Sequence, residues 1–381
     1  MTLPFEITAV DPGSRARRGT LLTAHGPVET PVFMAVGTRG SVTHCAPVDL
    51  AAINTQVVLA NTYHLMLRPG PEAFRRLGGI HDFMRWSGPV LTDSGGFQIF
   101  SLPGDRTISE RGAQFRAYTD QRMYMLSPER SIEMQTAIGS DIMMVLDECV
   151  DSRSDEATTR AAMERTQRWA LRSLAARENP GQGLFAIMQG GLFPELRTES
   201  AARLTEHAFD GFAIGGLAVG DTRAEREDVT AFAAELLPAD RPRYLMGVGT
   251  PPDLLQAMLA GVDMFDCTLP TKLAHQGIAF TSTGRVRLTR MAHTFADEAL
   301  DPACPCATCT SFSRAYLHHL FKWREPLAPR LIAMHNLRHY HALMAESRAA
   351  ITDGTFAAYA KARLAAIDHY EHAAEAKARA S

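Results

Sequence analysis

Two carboxylates stand where apolar runs end, each beside residues that could help it do chemistry. The first is Asp93, in Thr92-Asp93-Ser94-Gly95-Gly96-Phe97-Gln98, directly after Pro89-Val90-Leu91. The paired glycines let backbone come close to a flat ligand, because no Cβ obstructs it. Phe97 offers a stacking face, and the carboxylate offers proton chemistry. The second is Asp266, in Met264-Phe265-Asp266-Cys267. Together they read as an active site with two acids.

A second kind of chemistry lies downstream. Cys304-Pro305-Cys306-Ala307-Thr308-Cys309 is a C-x-C-x-x-C run. Three thiolates this close suit a soft tetrahedral cation, with zinc first and a structural role expected once a fourth protein ligand closes the shell. That ligand must come from elsewhere, and His318, His319, His335, His339 and His341 are all candidates. Reduced thiols or an iron–sulfur site are the alternatives. Cys45, Cys149 and Cys267 stand alone and read as packed thiols.

These groups need elements to position them. Eight apolar, β-prone segments end in polar or glycine-rich residues, at Val36-Gly37, Ala60-Asn61-Thr62, Thr92-Asp93, Leu146-Asp147, Met188-Gln189, Ile214-Gly215, Met246-Gly247 and Phe265-Asp266. Helical patterns lie between most of them. Ser127-Pro128-Glu129-Arg130 reads as a cap with proline in the first turn, residues 154–177 as an outer amphipathic helix, and Thr250-Pro251-Pro252-Asp253 as another helix start. Eight β/α alternations predict an α/β fold of the (β/α)8 TIM-barrel type, whose chemistry sits at the C-terminal strand ends. An open doubly wound sheet is the alternative. Residues 1–30 predict an antiparallel cap, and about 350–375 an Ala-rich helix. No repeat of fixed period stands out.

The bulk numbers agree. A chain of 381 residues, 46% hydrophobic and 21% charged, can bury a large core. No apolar run reaches the ~18 residues of a membrane span. The N-terminal residues show no export signal, so a cytoplasmic location is expected. The net charge of -3 argues mildly against a nucleic-acid partner. Local clusters argue the other way: Lys272, His275, Arg285, Arg287 and Arg290 in one stretch, and Arg314, His318, His319, Lys322, Arg324 and Arg330 in another. Clustered cations attract phosphates whatever the total charge, although solvated faces look the same in sequence.

Several motifs now form one pattern. Asp-Ser-Gly-Gly-Phe-Gln at 93–98, Leu-Asp-Glu-Cys at 146–149, Met-Gln-Gly-Gly at 188–191, Gly-Gly-Leu-Ala-Val-Gly at 215–220, Leu-Met-Gly-Val-Gly at 245–249 and Met-Phe-Asp-Cys-Thr-Leu-Pro-Thr at 264–271 occur in order, before the cysteine run and Ala-Tyr-Leu-His-His-Leu at 315–320. The chain resembles the bacterial tRNA-guanine transglycosylases, also called queuine tRNA-ribosyltransferases, over nearly its whole length. The resemblance implies a TIM barrel with a zinc subdomain near the last strand. Residues 1–30 would be the β cap, 31–297 the barrel, 298–345 the zinc-binding subdomain and 346–381 a C-terminal helix completing the barrel.

The implied activity is that of a pentosyltransferase. It exchanges the wobble guanine of certain tRNAs for a free 7-deazaguanine base, in bacteria usually 7-aminomethyl-7-deazaguanine. By resemblance Asp266 is the nucleophile, Asp93 the general acid/base and His335, in Met334-His335-Asn336, the fourth zinc ligand. Asp93, Ser94, Gly95, Gly96, Phe97, Asp147, Gln189, Gly216, Leu217 and Met246 would form the base pocket. Asp147 would accept from the guanine edge, while Phe97 and Met246 hold its faces. The anticodon loop of tRNA would meet Gly247, Val248, Gly249, Thr250 and Asp253, and Thr271, Lys272, Leu273, Ala274 and His275. By resemblance, the bulk at Cys149 and Val219 would favour the small aminomethyl base over queuine. Phe312, Tyr316 and His319 match a patch that implies a homodimer.

The chain departs from this family in two places. Lys272 and His275, followed by Gln276, stand where the family usually carries two arginines and an asparagine, so tRNA reading is expected to differ. Asp221 replaces a usual glutamate after Ala-Val-Gly. A noncatalytic RNA-binding relative and an enzyme placing deazaguanines in DNA remain as alternatives.

Overall fold

A computed structural model describes residues 3–101 and 106–379. Eight parallel strands close into a barrel: β1 (Val32–Val36), β2 (Val58–Ala60), β3 (Val90–Thr92), β4 (Ile142–Met144), β5 (Gly183–Met188), β6 (Gly211–Ile214), β7 (Arg243–Leu245) and β8 (Met264–Asp266). Neighbours in sequence are neighbours in space, and β8 returns to β1 with Met264 opposite Val32 and Phe265 opposite Phe33. The strands are mostly apolar because helices cover one side and packed side chains fill the other, with polar residues confined to strand ends such as Thr92, Arg243 and Asp266. Val58, Val90, Leu91, Ile142, Met143, Met144 and Met264 are fully buried.

The helices start where their capping residues predict. Ser127 Oγ accepts from the Arg130 N–H at the head of Pro128–Ile138. Thr250 Oγ1 accepts from the Asp253 N–H at the head of Pro251–Leu259. Glu156–Ala175 forms the outer amphipathic helix. Strands β4 and β7 end at Met144 and Leu245, three and two residues before the polar positions at 147 and 247, so those positions lie in loops at the barrel's top.

Aspartates also precede strands, at the opposite end of the barrel. Asp141, Asp210 and Asp263 stand just before β4, β6 and β8 and fasten the N-terminal antiparallel sheet of Phe5–Val10, Arg17–Thr23 and Gly26–Thr30 to the barrel floor. Arg17 meets Asp263 through two bonds of 2.9 and 2.6 Å, both groups buried. The His25 ring donates to Asp141 at 2.8 Å and stacks on His81 at 3.4 Å. The Leu3 N–H donates to Asp210 at 2.8 Å. Asp263 and Asp266 thus lie at the two ends of one three-residue strand. The first anchors the floor; the second faces the mouth.

A three-stranded antiparallel sheet, Arg106–Ser109, Gly112–Arg116 and Met123–Leu126, follows the short helix Gly96–Ser101. Its first strand is polar and half exposed and carries no periodic signature. After β8, the hairpin Ile278–Thr281 and Gly284–Arg287 leads to the cysteine run, to helices Ala307–Ser311 and Arg314–Lys322, and to the long helix Leu327–Thr352. The last helix is Phe356–Arg379. No helix among the described residues is long and apolar enough to cross a membrane.

Candidate active site

A cavity of about 580 Å3 opens at the C-terminal ends of the strands. Asp93, Ser94, Phe97, Asp147, Gln189, Gly216, Leu217, Met246, Gly247, Asp266 and Lys272 all line it. They come from six strand ends and the helix Leu269–His275 beyond β8, brought together only by closure of the barrel.

Asp93 is the most heavily bonded of the acids. Its Oδ1 accepts from the Thr62 N–H at 2.8 Å. Its Oδ2 accepts from Asn61 Nδ2 and, at 2.8 Å, from Gln98 Nε2. Burial works against these bonds and dominates them, with the charge of Asp266 adding to it, so the carboxyl is pushed up to about 6. A carboxyl in that range can donate and recover a proton near neutral pH.

Asp266 has a different setting. Both of its hydrogen bonds fall on Oδ1, from the Tyr244 hydroxyl at 2.6 Å and the Gly247 N–H at 2.7 Å. Burial raises this carboxyl as well, and those two donors oppose the rise. Gly247 donates from the left-handed region at φ +70, a conformation that favours glycine. Among the described residues nothing donates to Oδ2, which leaves one oxygen positioned by its neighbours and the other able to react.

The third acid, Asp147, accepts from Ser94 Oγ at 3.1 Å and Gln189 Nε2 at 2.8 Å. A row of acceptor and amide groups results, suited to a heterocycle that carries adjacent N–H donors and a carbonyl. Two glycines make room for it. A Cβ at Gly96 would lie 2.6 Å from the Asp147 carbonyl, and one at Gly216 2.3 Å from Gln189 Oε1. Phe97 is 47% exposed, so its ring is available to a ligand rather than packed in the core. Met246 is partly buried and lines the same cavity. Cys149 and Val219 line it too, and burial raises the Cys149 thiol far enough to keep it neutral.

Other anticipated residues lie elsewhere. Gly95 is outside the lining, and Gly96 borders a neighbouring cavity that shares Asp147 and Cys149. Val248, Thr271 and Ala274 are buried, and the Gly249 carbonyl accepts from Tyr340 at 2.6 Å. Asp253 is buried and bonded to Thr250 and Arg226, while Thr250 borders another cavity. Leu273 is half-buried. Lys272 and His275 are exposed, and the His275 ring stacks on His44 at 5.5 Å with their ring nitrogens 3.3 Å apart. Burial first, and the neighbouring His275 second, hold the His44 imidazole below its ordinary range. In the second basic stretch, Arg314 bonds Glu298 and the Leu300 carbonyl, His318 donates to the Leu288 carbonyl and Arg330 pairs with Asp49. Those three side chains serve the fold.

Sequence reasoning missed several supporting groups. Asn61, Gln98 and Tyr244 hold the two acids, yet a strand-end asparagine and a tyrosine inside a strand carry no distinctive signal. Arg197 is fully buried on helix Pro194–Thr205 and donates to the carbonyls of Met188, Gly191 and Gly215 at 2.7, 3.0 and 2.8 Å. It fixes the ends of β5 and β6 where they meet the cavity. In sequence it is one arginine on an amphipathic helix.

The cysteine run forms a second centre. The ligand atoms of Cys304, Cys306, Cys309 and His335 all lie within 4.8 Å of one another. His335 Nδ1 is 3.5 Å from Cys306 Sγ and 3.2 Å from Cys309 Sγ. Its Nε2–H donates to the Phe280 carbonyl at 2.6 Å. That bond fixes the tautomer, so the Nδ1 lone pair points at the thiols, as in metal-bound histidines. Three soft sulfurs and one imidazole fit a tetrahedral metal ion such as zinc. Of the five candidate histidines, only His335 joins the cluster among the described residues.

The chain is similar to known proteins over nearly its whole length. A family model described as queuine tRNA-ribosyltransferase matches residues 11–369. The queuine tRNA-ribosyltransferase of Solidesulfovibrio magneticus is 51% identical over 361 residues, which cover 94% of this chain and 97% of that protein. That of Nitratidesulfovibrio vulgaris is 52% identical over 363 residues, 94% of this chain and 96% of its own. That of Azotobacter vinelandii is 48% identical over 357 residues, with shares of 94% and 96%.

Proposed function

The chain belongs to the queuine tRNA-ribosyltransferase family, and we propose that it is a tRNA-guanine transglycosylase working by double displacement. The single observation that carries this reading is the one cavity that Asp93 and Asp266 line together with Asp147, Gln189, Phe97 and Met246.

The wobble guanine leaves the anticodon loop and enters between Phe97 and Met246. Asp147 accepts from its N1–H and amine, and the Gln189 amide and Gly216 N–H address its other edge. Asp266 Oδ2 forms a bond to C1′ of the ribose as the C1′–N9 bond breaks. The electron pair of that bond leaves with guanine, and Asp93 supplies the proton. Free 7-aminomethyl-7-deazaguanine then takes the same place, with the Leu217 carbonyl receiving its ammonium. Asp93 removes the proton from its N9, N9 attacks C1′ and the bond to Asp266 breaks. Two inversions return the original stereochemistry. Lys272 at the cavity mouth and His275 beside His44 would meet the loop's phosphates.

Cys304, Cys306, Cys309 and His335 would hold a structural zinc ion, which ties the cysteine loop to helix Leu327–Thr352 and takes no part in base exchange. We also read the exposed ring of Tyr316, stacked on Phe312 at 5.4 Å, together with His319, as the centre of a homodimer contact. Sedimentation at micromolar protein tests it: a dimer is expected, and a clean monomer refutes the contact.

Exchange of labelled guanine into bulk tRNA, with DNA as a parallel acceptor, tests the activity. Incorporation into tRNA alone is expected. No incorporation would leave a noncatalytic RNA-binding protein, and transfer into DNA would redirect the substrate assignment.

A further inference from the structure

We propose that Arg226 is a positioning residue for the base pocket: acting through Asp221, it fixes Val219, the wall residue that meets the 7-substituent of the incoming base. The proposal rests on the base-exchange reading above.

The loop after β6 does not hold its shape unaided. Gly216, Ala218 and Gly220 all lie in the left-handed region, at φ +71, +60 and +121. Alanine is disfavoured there, and such residues persist only where their surroundings over-determine them. The surroundings here are specific. The Val219 carbonyl accepts from the Ser152 N–H at 3.1 Å. The Val219 N–H donates to Asp221 Oδ1 at 3.0 Å, and Ser152 Oγ donates to the same oxygen at 3.0 Å. Arg226 then holds the other oxygen, Nη1 to Oδ2 at 2.8 Å.

Arg226 does not stop at Asp221. Its Nη2 donates to Asp253 Oδ1 at 3.2 Å, and Asp253 lies in the first turn of helix Pro251–Leu259. That helix starts just beyond Met246 and Gly247, which line the same cavity. One guanidinium therefore ties the wall loop to the segment beside the nucleophile. The Asp221 side chain is fully buried and that of Asp253 is 5% exposed, so each carboxylate depends on this cation. Arg226 Nε is buried and makes no hydrogen bond among the described residues, so its charge is directed at the two acids. A planar fork reaches both; a lysine ammonium is a point charge and cannot serve them with the same geometry. Arg226 itself lies outside the cavity lining, whereas Ala218 and Val219 are in it. Asp221 replaces a glutamate in the resembled family, and here this shorter carboxylate is wholly occupied by the clamp.

Guanine has no substituent to meet Val219, and 7-aminomethyl-7-deazaguanine does. The test compares the two bases in steady-state insertion into tRNA by the full chain, as wild type, Arg226→Met and Arg226→Lys. For Arg226→Met, KM for the aminomethyl base is expected to rise about fivefold more than KM for guanine, with kcat for guanine within about twofold of wild type; Arg226→Lys falls between. Equal rises for both bases would reduce Arg226 to a general structural role, and no change in the ratio would also overturn the proposal. If Arg226→Met does not fold, the ratio in Arg226→Lys decides on the same terms. A wild-type protein that inserts neither base would instead overturn the base-exchange reading itself.

Discussion

Tyr244 donates its hydroxyl to Asp266 Oδ1 at 2.6 Å, and the Gly247 N–H meets the same oxygen at 2.7 Å. In the proposed mechanism this orients one oxygen of the nucleophile, and among the described residues nothing donates to the other. Tyr244 also opposes the rise that burial imposes on this carboxyl. Tyr244→Phe is expected to slow formation of the ribosyl-enzyme about 5- to 30-fold, from loss of roughly 1–2 kcal/mol of hydrogen bonding to the charged form. Without the hydroxyl the Asp266 pKa rises, so the acid limb of the rate moves to higher pH. Single-turnover rates across pH would show this; an unmoved limb and an unchanged rate contradict it.

In the proposed mechanism Asp93 protonates departing guanine and so sets the other limb. Burial, reinforced by Asp266, places its carboxyl at about 6. The acid form is needed to protonate departing guanine, so guanine release should fall as pH rises through about 6. Asn61 donates to the ionised form and lowers this pKa. Asn61→Ala should therefore move the falling limb upward by roughly half to one pH unit, the equivalent of about 0.7–1.4 kcal/mol. Rapid-quench measurement of guanine release decides, and a downward move would be the wrong sign.

Gly216 tests the edge-reading geometry. A Cβ there would sit 2.3 Å from Gln189 Oε1, at φ +71. Gly216→Ala is expected to displace the Gln189 amide and raise KM for free guanine at least about tenfold, since a left-handed alanine alone costs about 1–2 kcal/mol. Steady-state exchange with tRNA in excess measures it; an unaltered KM would show that Gln189 does not address the base.

The metal centre makes a separate prediction. Purified protein should carry close to one zinc per chain by elemental analysis. His335→Ala or a strong chelator should lower the melting temperature by many degrees, because the cluster's binding free energy contributes directly to folding. Metal-free protein with an unchanged melting curve would contradict the structural assignment.

Much of this was legible in the sequence, for physical reasons that differ from part to part. Parallel strands buried on both sides must be continuous apolar runs, so β1 to β8 were visible, and polar residues just after them marked the barrel's top. Three cysteines within six residues have few other uses. The boundaries at β4 and β7 were one or two residues off because Leu146 and Met246 are apolar loop residues facing the interior. The sheet at 106–126 escaped notice because its first strand is polar. His335 could be chosen over four other histidines only by resemblance, since the ligand set depends on how the long helix docks. Asp253 read as an RNA contact, yet Arg226 and Thr250 hold it inside. Arg197 and Arg226 look like surface cations because nothing in a one-dimensional pattern records which carbonyls or carboxylates will surround them.

The most direct measurement is a denaturing gel of the enzyme mixed with tRNA and free base. The wild-type chain should give a slower band that contains both RNA and protein, and Asp266→Asn should give none while still binding tRNA. A band that persists in Asp266→Asn would remove Asp266 as the group bonded to ribose, and with it the division of labour between the two acids.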